Sequence, residues 1–95
     1  MVGPMDTRDL IRLRLDAALA PVFVQIDDES AQHRGHGGAG GGGHYRVHII
    51  SAAFEGLSLL ARQRLVYQAL AAEMRAAIHA VTMATQTPSE AAQGA

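Results

Sequence analysis

The chain has 95 residues, no cysteine and a formal net charge of -1, with eight arginines, no lysine and nine acidic residues. This length fits one compact domain, and the absence of cysteine excludes disulfides, thiolate catalysis and any metal site built from the chain's own thiolates. The nearly neutral charge gives no support to strong, sequence-independent binding of nucleic acid.

Residues 1–8 carry neither a basic region followed by an apolar run nor an amphipathic arginine-rich pattern, so we see no targeting peptide. No apolar stretch reaches the ~18 to 20 residues that a membrane-spanning helix needs. We therefore expect a cytosolic protein without a membrane partner. A single domain over residues 1–95 is expected, with flexible tails at residues 1–5 and 91–95.

The first half of the chain predicts a helix followed by two strands. Asp6 or Thr7 can cap a helix that ends before Pro21 and places apolar residues three and four positions apart. Alternation of apolar and polar residues then predicts strands over Val22–Asp28 and His44–Ser51. Residues 31–43 contain seven glycines and too few apolar side chains to pack, so they predict a flexible loop.

The second half predicts a turn, a helix, a strand and a short helix. Residues 52–57 form the turn, and Ser58 can cap a helix of roughly four turns that continues through Met74. Alternation returns over Ala77–Thr85, with Ile78, Ala80 and Thr82 on one face. A threonine, a proline and a glutamate then form a helix-start signature at Thr87, Pro88 and Glu90.

The order of these elements indicates an α/β (α+β) fold. The connection from Ser51 to Ala77 is long enough for a crossover, which allows the third strand to run parallel to a neighbour. We therefore expect a mixed three-stranded sheet with helices covering one face.

Several short segments follow one another over almost the whole chain: Pro21 to Ile26, Asp28-Glu29-Ser30 followed by His33, His44-Tyr45-Arg46-Val47, Ile50-Ser51 with Phe54-Glu55-Gly56, Arg64-Leu65-Val66-Tyr67, Leu70-Ala71-Ala72-Glu73, and Ile78-His79-Ala80 with Thr87-Pro88. In these segments and in their order, the sequence resembles the BolA family. The resemblance implies an αββααβ core similar to the class II KH fold. It also implies a non-enzymatic partner of a monothiol glutaredoxin that shares a bridging [2Fe-2S] cluster.

The resemblance also implies the cluster ligands. In the family, a histidine after the last long helix is a ligand, and His79 occupies that position here. A second ligand comes from the loop between the first two strands, where His33 matches the histidine subgroup. The glycine-rich loop departs from the family pattern and also holds His36, so the choice between His33 and His36 stays open. A second departure is Arg62-Gln63-Arg64, where many members have Arg-His-Arg.

Imidazole is a reasonable ligand for iron, and two histidines hold one iron of the [2Fe-2S] cluster in Rieske centres. Because this chain has no cysteine, the thiolates have to come from a glutaredoxin cysteine and from glutathione. An imidazole binds metal only when its ligating nitrogen is unprotonated, so we expect binding to weaken as pH falls through the range near ~6.5.

Several alternatives stay open from the residues alone. His79 can be a histidine that only serves the strand, His33 and His36 can be solvated or chelate zinc or nickel weakly, and His44 and His48 suggest structural or exposed positions. The KH-like topology suggests DNA binding by a transcription regulator, with Arg62, Arg64 and Arg75 as a basic helix face. The region corresponding to the KH Gly-x-x-Gly loop has only Gly56. The sequence has no nucleophile and base at a spacing that would suggest a hydrolase or transferase.

Overall fold

The structure is a computed structural model that describes residues 5–30 and 43–94. Its elements in chain order are α1 (Thr7–Leu19), β1 (Phe23–Asp28), β2 (Gly43–Ile50), a 3-10 turn (Ala52–Phe54), α2 (Leu59–Ala69), α3 (Ala71–Ala76), β3 (Ile78–Gln86) and α4 (Pro88–Gln93). The predicted loop over residues 31–43 lies outside the described residues, except for Gly43, which begins β2.

Helix α1 begins and ends for local reasons. Asp6 accepts a hydrogen bond from the N–H of Asp9, and the Asp9 carboxylate accepts one from the N–H of Asp6, which completes a capping box. Buried residues recur every fourth position along the helix, at Ile11, Leu15 and Leu19. The helix ends at Ala20, which has a left-handed conformation with φ 42° and ψ 54°.

The sheet is mixed, as the sequence predicts. Its strand order is β1-β2-β3, with β1 antiparallel to β2 and β2 parallel to β3. The helices α2 and α3 form the crossover that makes the parallel pairing possible. Thus β2 is the central strand, and β1 and β3 are the two edges.

One face of the central strand supplies the centre of the core. Tyr45, Val47 and Ile49 are buried on β2, whereas Arg46 is exposed on the opposite face. The rest of the core comes from the helices, the 3-10 turn and the start of β3: Ile11, Leu15, Leu19, Phe54, Val66, Leu70 and Ile78. The helices therefore cover one face of the sheet, and the other face is open as far as residues 5–30 and 43–94 are concerned.

The predicted helix from Ser58 through Met74 is wrong in one respect, because the structure divides it at Leu70. That residue has φ -101° and ψ 14°, and it separates α2 from α3. Neither glycine nor proline marks the position in the sequence. Leu70 is fully buried, and the change of direction brings Glu73 of α3 to within 3.3 Å of the Arg14 guanidinium on α1. Tertiary packing, and not local sequence, accounts for the break.

A buried arginine joins α2 to the C-terminal part of the chain. Arg62 donates from both terminal nitrogens to Glu90 of α4, at 2.7 and 3.0 Å. It also donates to the carbonyls of Leu57 and Thr85, at 3.0 and 3.3 Å, and its guanidinium lies 5.9 Å from the centre of the Phe54 ring. One side chain thus connects α2, the 3-10 turn, β3 and α4.

The same carboxylate caps its own helix, because the N–H of Thr87 donates to Glu90 at 2.9 Å and the N–H of Glu90 donates to the Thr87 hydroxyl at 3.1 Å. This confirms the helix start predicted at Thr87. The hydrogen bonds from Arg62, and then the backbone hydrogen bond from Thr87, lower the pKa of Glu90 from 4.5 to about 2.

We expect acid to weaken this connection in a defined window. A carboxyl whose pKa is lower in the folded state contributes stability above its unfolded pKa and loses it as pH falls through the folded pKa. The free energy of unfolding should therefore decrease from pH 4.5 towards about 2, and this decrease should be shallower in Glu90→Gln. Urea unfolding across that pH range measures it. Asp16→Asn, which removes an exposed carboxylate of α1, is the control; an equally steep decrease in Glu90→Gln would contradict the assignment.

We also expect opposite effects from two substitutions at left-handed positions. Ala20 and Gly56 have φ 42° and φ 74°, and a Cβ is unfavourable at such angles by about 1–2 kcal/mol. Ala20→Gly should raise the free energy of unfolding by about 0.5–1 kcal/mol after the entropy of glycine is subtracted. Gly56→Ala should lower it by about 1 kcal/mol, although a Cβ there meets nothing within 4 Å. Denaturant titrations at neutral pH test both; a destabilised Ala20→Gly variant would contradict the backbone argument.

Candidate functional site

His79 occupies a β-bulge at the start of β3. Gly43 pairs with Ile78 and His44 pairs with Ala80, so His79 is an extra residue opposite one step of β2. Ile78 is buried in the core and His79 is exposed. The predicted alternation, with Ile78, Ala80 and Thr82 on one face, is therefore wrong across His79, because the bulge shifts the alternation by one residue.

The bulge brings a second histidine against the first. The rings of His44 and His79 have centroids 5.0 Å apart and planes inclined by 37°. His44 is half-buried at the start of β2. The sequence suggested only a structural position for His44, since its approach to His79 depends on the register between two strands that are far apart in the chain.

The backbone of His44 is held from the end of β1. Its N–H donates to the Ser30 hydroxyl at 3.1 Å, and its carbonyl accepts from the N–H of Glu29 at 2.8 Å. The N–H of Ser30 donates in turn to the Asp28 carboxylate at 2.9 Å. Hydrogen bonds from the Ser30 side chain and backbone lower the pKa of Asp28. This chain of contacts positions His44 beside the bulge.

Gly43 permits the close approach between the two chain segments. A Cβ at this position would lie 2.5 Å from the Ser30 hydroxyl oxygen and 2.7 Å from Cε2 of Tyr45. Only glycine fits at these distances without a shift of the neighbours. Ser30 and Gly43 are therefore neighbours, and both lie next to His44. His33 and His36 belong to the segment 31–42 and lie outside the described residues.

The described part of this site contains two imidazole rings, those of His44 and His79. Within residues 5–30 and 43–94, no group of three or more His, Cys, Asp or Glu residues could hold a metal ion. A metal centre here would need further ligands from residues 31–42 or from another molecule. Exposed imidazole, with no cysteine in the chain, fits a centre whose thiolate ligands are external.

The structure does not bring the three candidate nucleic-acid arginines onto one face. Arg62 is buried, with 8% of its side chain exposed, and both terminal nitrogens bond to Glu90. Arg64 and Arg75 are exposed on α2 and α3. Sequence spacing alone could not separate the buried arginine from the exposed pair, because the burial of Arg62 depends on Glu90, which lies 28 residues away in the chain.

His48 lies on the open face of the sheet and makes structural contacts. Its Nε2 is 2.6 Å from Oε1 of Gln86, and its ring meets Phe23 edge-on at 5.3 Å between centroids. It is half-buried and not exposed as the sequence suggested. A shallow cleft of about 360 Å³ adjoins it, lined in part by Asp27, Arg46 and Thr82.

No helix in the described part of the chain is long and apolar enough to cross a membrane.

Comparisons with known proteins agree on one family. The sequence model of the BolA-like protein family matches residues 15–90. Protein BOLA1, chloroplastic, from Arabidopsis thaliana is 42% identical over 84 residues, which cover 84% of this chain and 52% of that protein. The DNA-binding transcriptional regulator BolA of Escherichia coli K12 is 37% identical over 86 residues, covering 90% and 80%.

A solved structure supports the same assignment. The crystal structure of a bol-like protein from Babesia bovis superposes with a TM-score of 0.78 at 39% identity, covering 99% of this chain and all of that one. The chain spans about half the length of the Arabidopsis protein and less than two thirds of several other curated relatives. The match over residues 15–90, the mixed sheet with its helices on one face and the structural similarity together show that the chain belongs to the BolA family.

Proposed function

We propose that this chain is a non-enzymatic partner of a monothiol glutaredoxin and shares a [2Fe-2S] cluster with it through histidine ligands, in iron-sulfur cluster trafficking or iron and redox regulation. The observation that carries the proposal is the exposed His79 on its bulge, with its ring against His44. This arrangement presents an imidazole to another molecule without disturbing the core.

The chain would contribute His79 and one histidine of the segment 31–42. A cluster bound at this place would supply one-electron redox chemistry, with a reduction potential raised by histidine ligation. The chain's own residues hold imidazole nitrogens in place and keep them accessible. External thiols, from a glutaredoxin cysteine and glutathione, complete the ligand set that a chain without cysteine cannot supply.

Chain length allows either histidine of the segment to reach the site. His33 follows Ser30 by three residues, so its Cα is at most about 11 Å from that of Ser30. His36 is six residues from Ser30 and seven from Gly43, and it can also reach. His33 is preferred because its spacing from Ser30 matches the histidine subgroup of the family.

Location and partners belong to this proposal. A cytosolic site of action is part of the proposal, whereas the name of the Arabidopsis relative assigns that protein to the chloroplast. Monothiol glutaredoxin and glutathione are proposed because His79 and a second histidine need external thiolates to hold an iron-sulfur centre in a chain without cysteine.

We expect the spectrum of a cluster-loaded monothiol glutaredoxin to change when this chain and glutathione are added, and the change to be lost in His79→Ala. Replacement of two thiolates by imidazoles alters the charge-transfer bands, so visible absorption and circular dichroism measure it. The change should also be lost in either His33→Ala or His36→Ala, which identifies the second ligand.

His48→Ala is the matched control, because His48 lies on the open sheet face and contacts Phe23 and Gln86 and not His79. It should leave the spectral change intact. A glutaredoxin spectrum that does not respond to the wild-type chain would refute the proposal, as would a His79→Ala spectrum identical to that of the wild type.

DNA binding is the second candidate function. Two observations favour it: the Escherichia coli relative is named a DNA-binding transcriptional regulator, and Arg64 and Arg75 are exposed on helices. The net charge of -1 and the burial of Arg62 weigh against a large basic surface. Any DNA contact would therefore depend on few phosphate interactions.

For this second function, we expect each of Arg64→Ala and Arg75→Ala to weaken DNA binding and to reduce the slope of log affinity against log salt by about one, because each would release one phosphate contact. Fluorescence anisotropy at several salt concentrations measures the slope. Asp16→Asn should not reduce it. A slope unchanged in both arginine variants would remove these two residues from any DNA interface.

A further inference from the structure

Strand β3 forms one edge of the sheet, and the backbone N–H and C=O groups of every second residue point outward from this edge. The carbonyl of Gln86 accepts from the N–H of Ser51, next to β2, so the backbone groups of Gln86 face β2. Backbone groups alternate in direction along a strand. Those of Val81, Met83 and Thr85 therefore face away from β2, towards the free edge.

Almost all of these outward groups lack a partner within the described part of the chain. The Thr85 carbonyl accepts from Arg62 at 3.3 Å. No hydrogen bond within residues 5–30 and 43–94 involves the outward N–H groups of Val81, Met83 and Thr85, or the carbonyls of Val81 and Met83. A row of unpaired backbone groups is a template for another strand.

This edge also lacks the features that normally prevent strand addition. The nine residues of β3, Ile78–Gln86, include no charged residue, no proline and no glycine. The other edge differs, because β1 ends in the charged residues Asp27 and Asp28. Charges and proline on an edge are the usual protection against pairing.

We propose that β3 pairs antiparallel with β3 of a second copy of this chain, with the twofold axis at Met83. In this register Met83 faces Met83 of the other copy, and Val81 faces Thr85 of the other copy. Every outward donor of one copy then meets an outward acceptor of the other. The edge is self-complementary, which is the condition for a closed twofold dimer.

The side chains on the open face are compatible with this pairing. Thr82 and Ala84 are small and exposed, and in the proposed register Thr82 lies directly opposite Ala84 of the second copy. They form a non-hydrogen-bonded pair, whose Cα atoms are about 4.5 Å apart. The two sheets become one continuous sheet, and an uncharged strand brings no like charges together.

The register makes a specific cross-linking test possible, because the natural chain has no cysteine. Thr82→Cys and Ala84→Cys are prepared separately, mixed and oxidised with copper phenanthroline. A Cα separation of about 4.5 Å permits a disulfide, so we expect the mixed pair to form a covalent dimer in high yield. Each variant alone should form much less. Cross-linking of Thr82→Cys with itself at equal yield, or no cross-linking, would overturn the proposal.

A second measurement uses the chain without cysteine. Sedimentation velocity of the wild type at increasing concentration should show a species of twice 10.0 kDa. Thr82→Lys with Ala84→Lys places two like-charged pairs across the interface, and we expect an association constant at least about tenfold lower. Gln25→Lys, on the same open face but on β1, should associate as the wild type does. Equal association of all three proteins, or a monomer at every concentration, would overturn the proposal.

Discussion

The parallel pairing of β2 with β3 is the contact on which the other features of this protein depend. It places Tyr45, Val47 and Ile49 at the centre of the core and leaves Arg46 on the open face. It also brings the start of β2, with His44, next to the start of β3, with His79. Because β3 pairs on one side only within the described part of the chain, the same contact creates an edge with outward backbone groups.

Elements with local causes could be predicted from the sequence. The start of the first helix at Asp6 or Thr7 and that of the last helix at Thr87 were recognisable, because a cap and its hydrogen-bond partner lie within one turn. The strands followed from alternation, and the parallel pairing from the length of the crossover. The bulge at His79, the break at Leu70 and the burial of Arg62 were not predictable, since each depends on contacts between residues distant in the chain.

The candidate site was predictable only in part. The family resemblance identified His79, and the structure adds its exposure and its contact with His44. Periodicity could not identify His44. The sequence pattern of a histidine at the start of a strand is the same whether or not the ring of another residue lies against it. The roles of Ser30 and Gly43 also depend on the approach of two segments, and a glycine in a run of glycines gives no sign that its missing side chain is required.

The bulge separates the chemistry of position 79 from the packing of the fold. Ile78 is buried in the core, whereas the side chain that follows it, on the extra residue of the bulge, is exposed and takes no part in the core. Natural variation can therefore change the side chain at position 79 with little loss of stability. Proteins that share this fold can in this way present different chemical groups at the same place through single substitutions at one exposed residue.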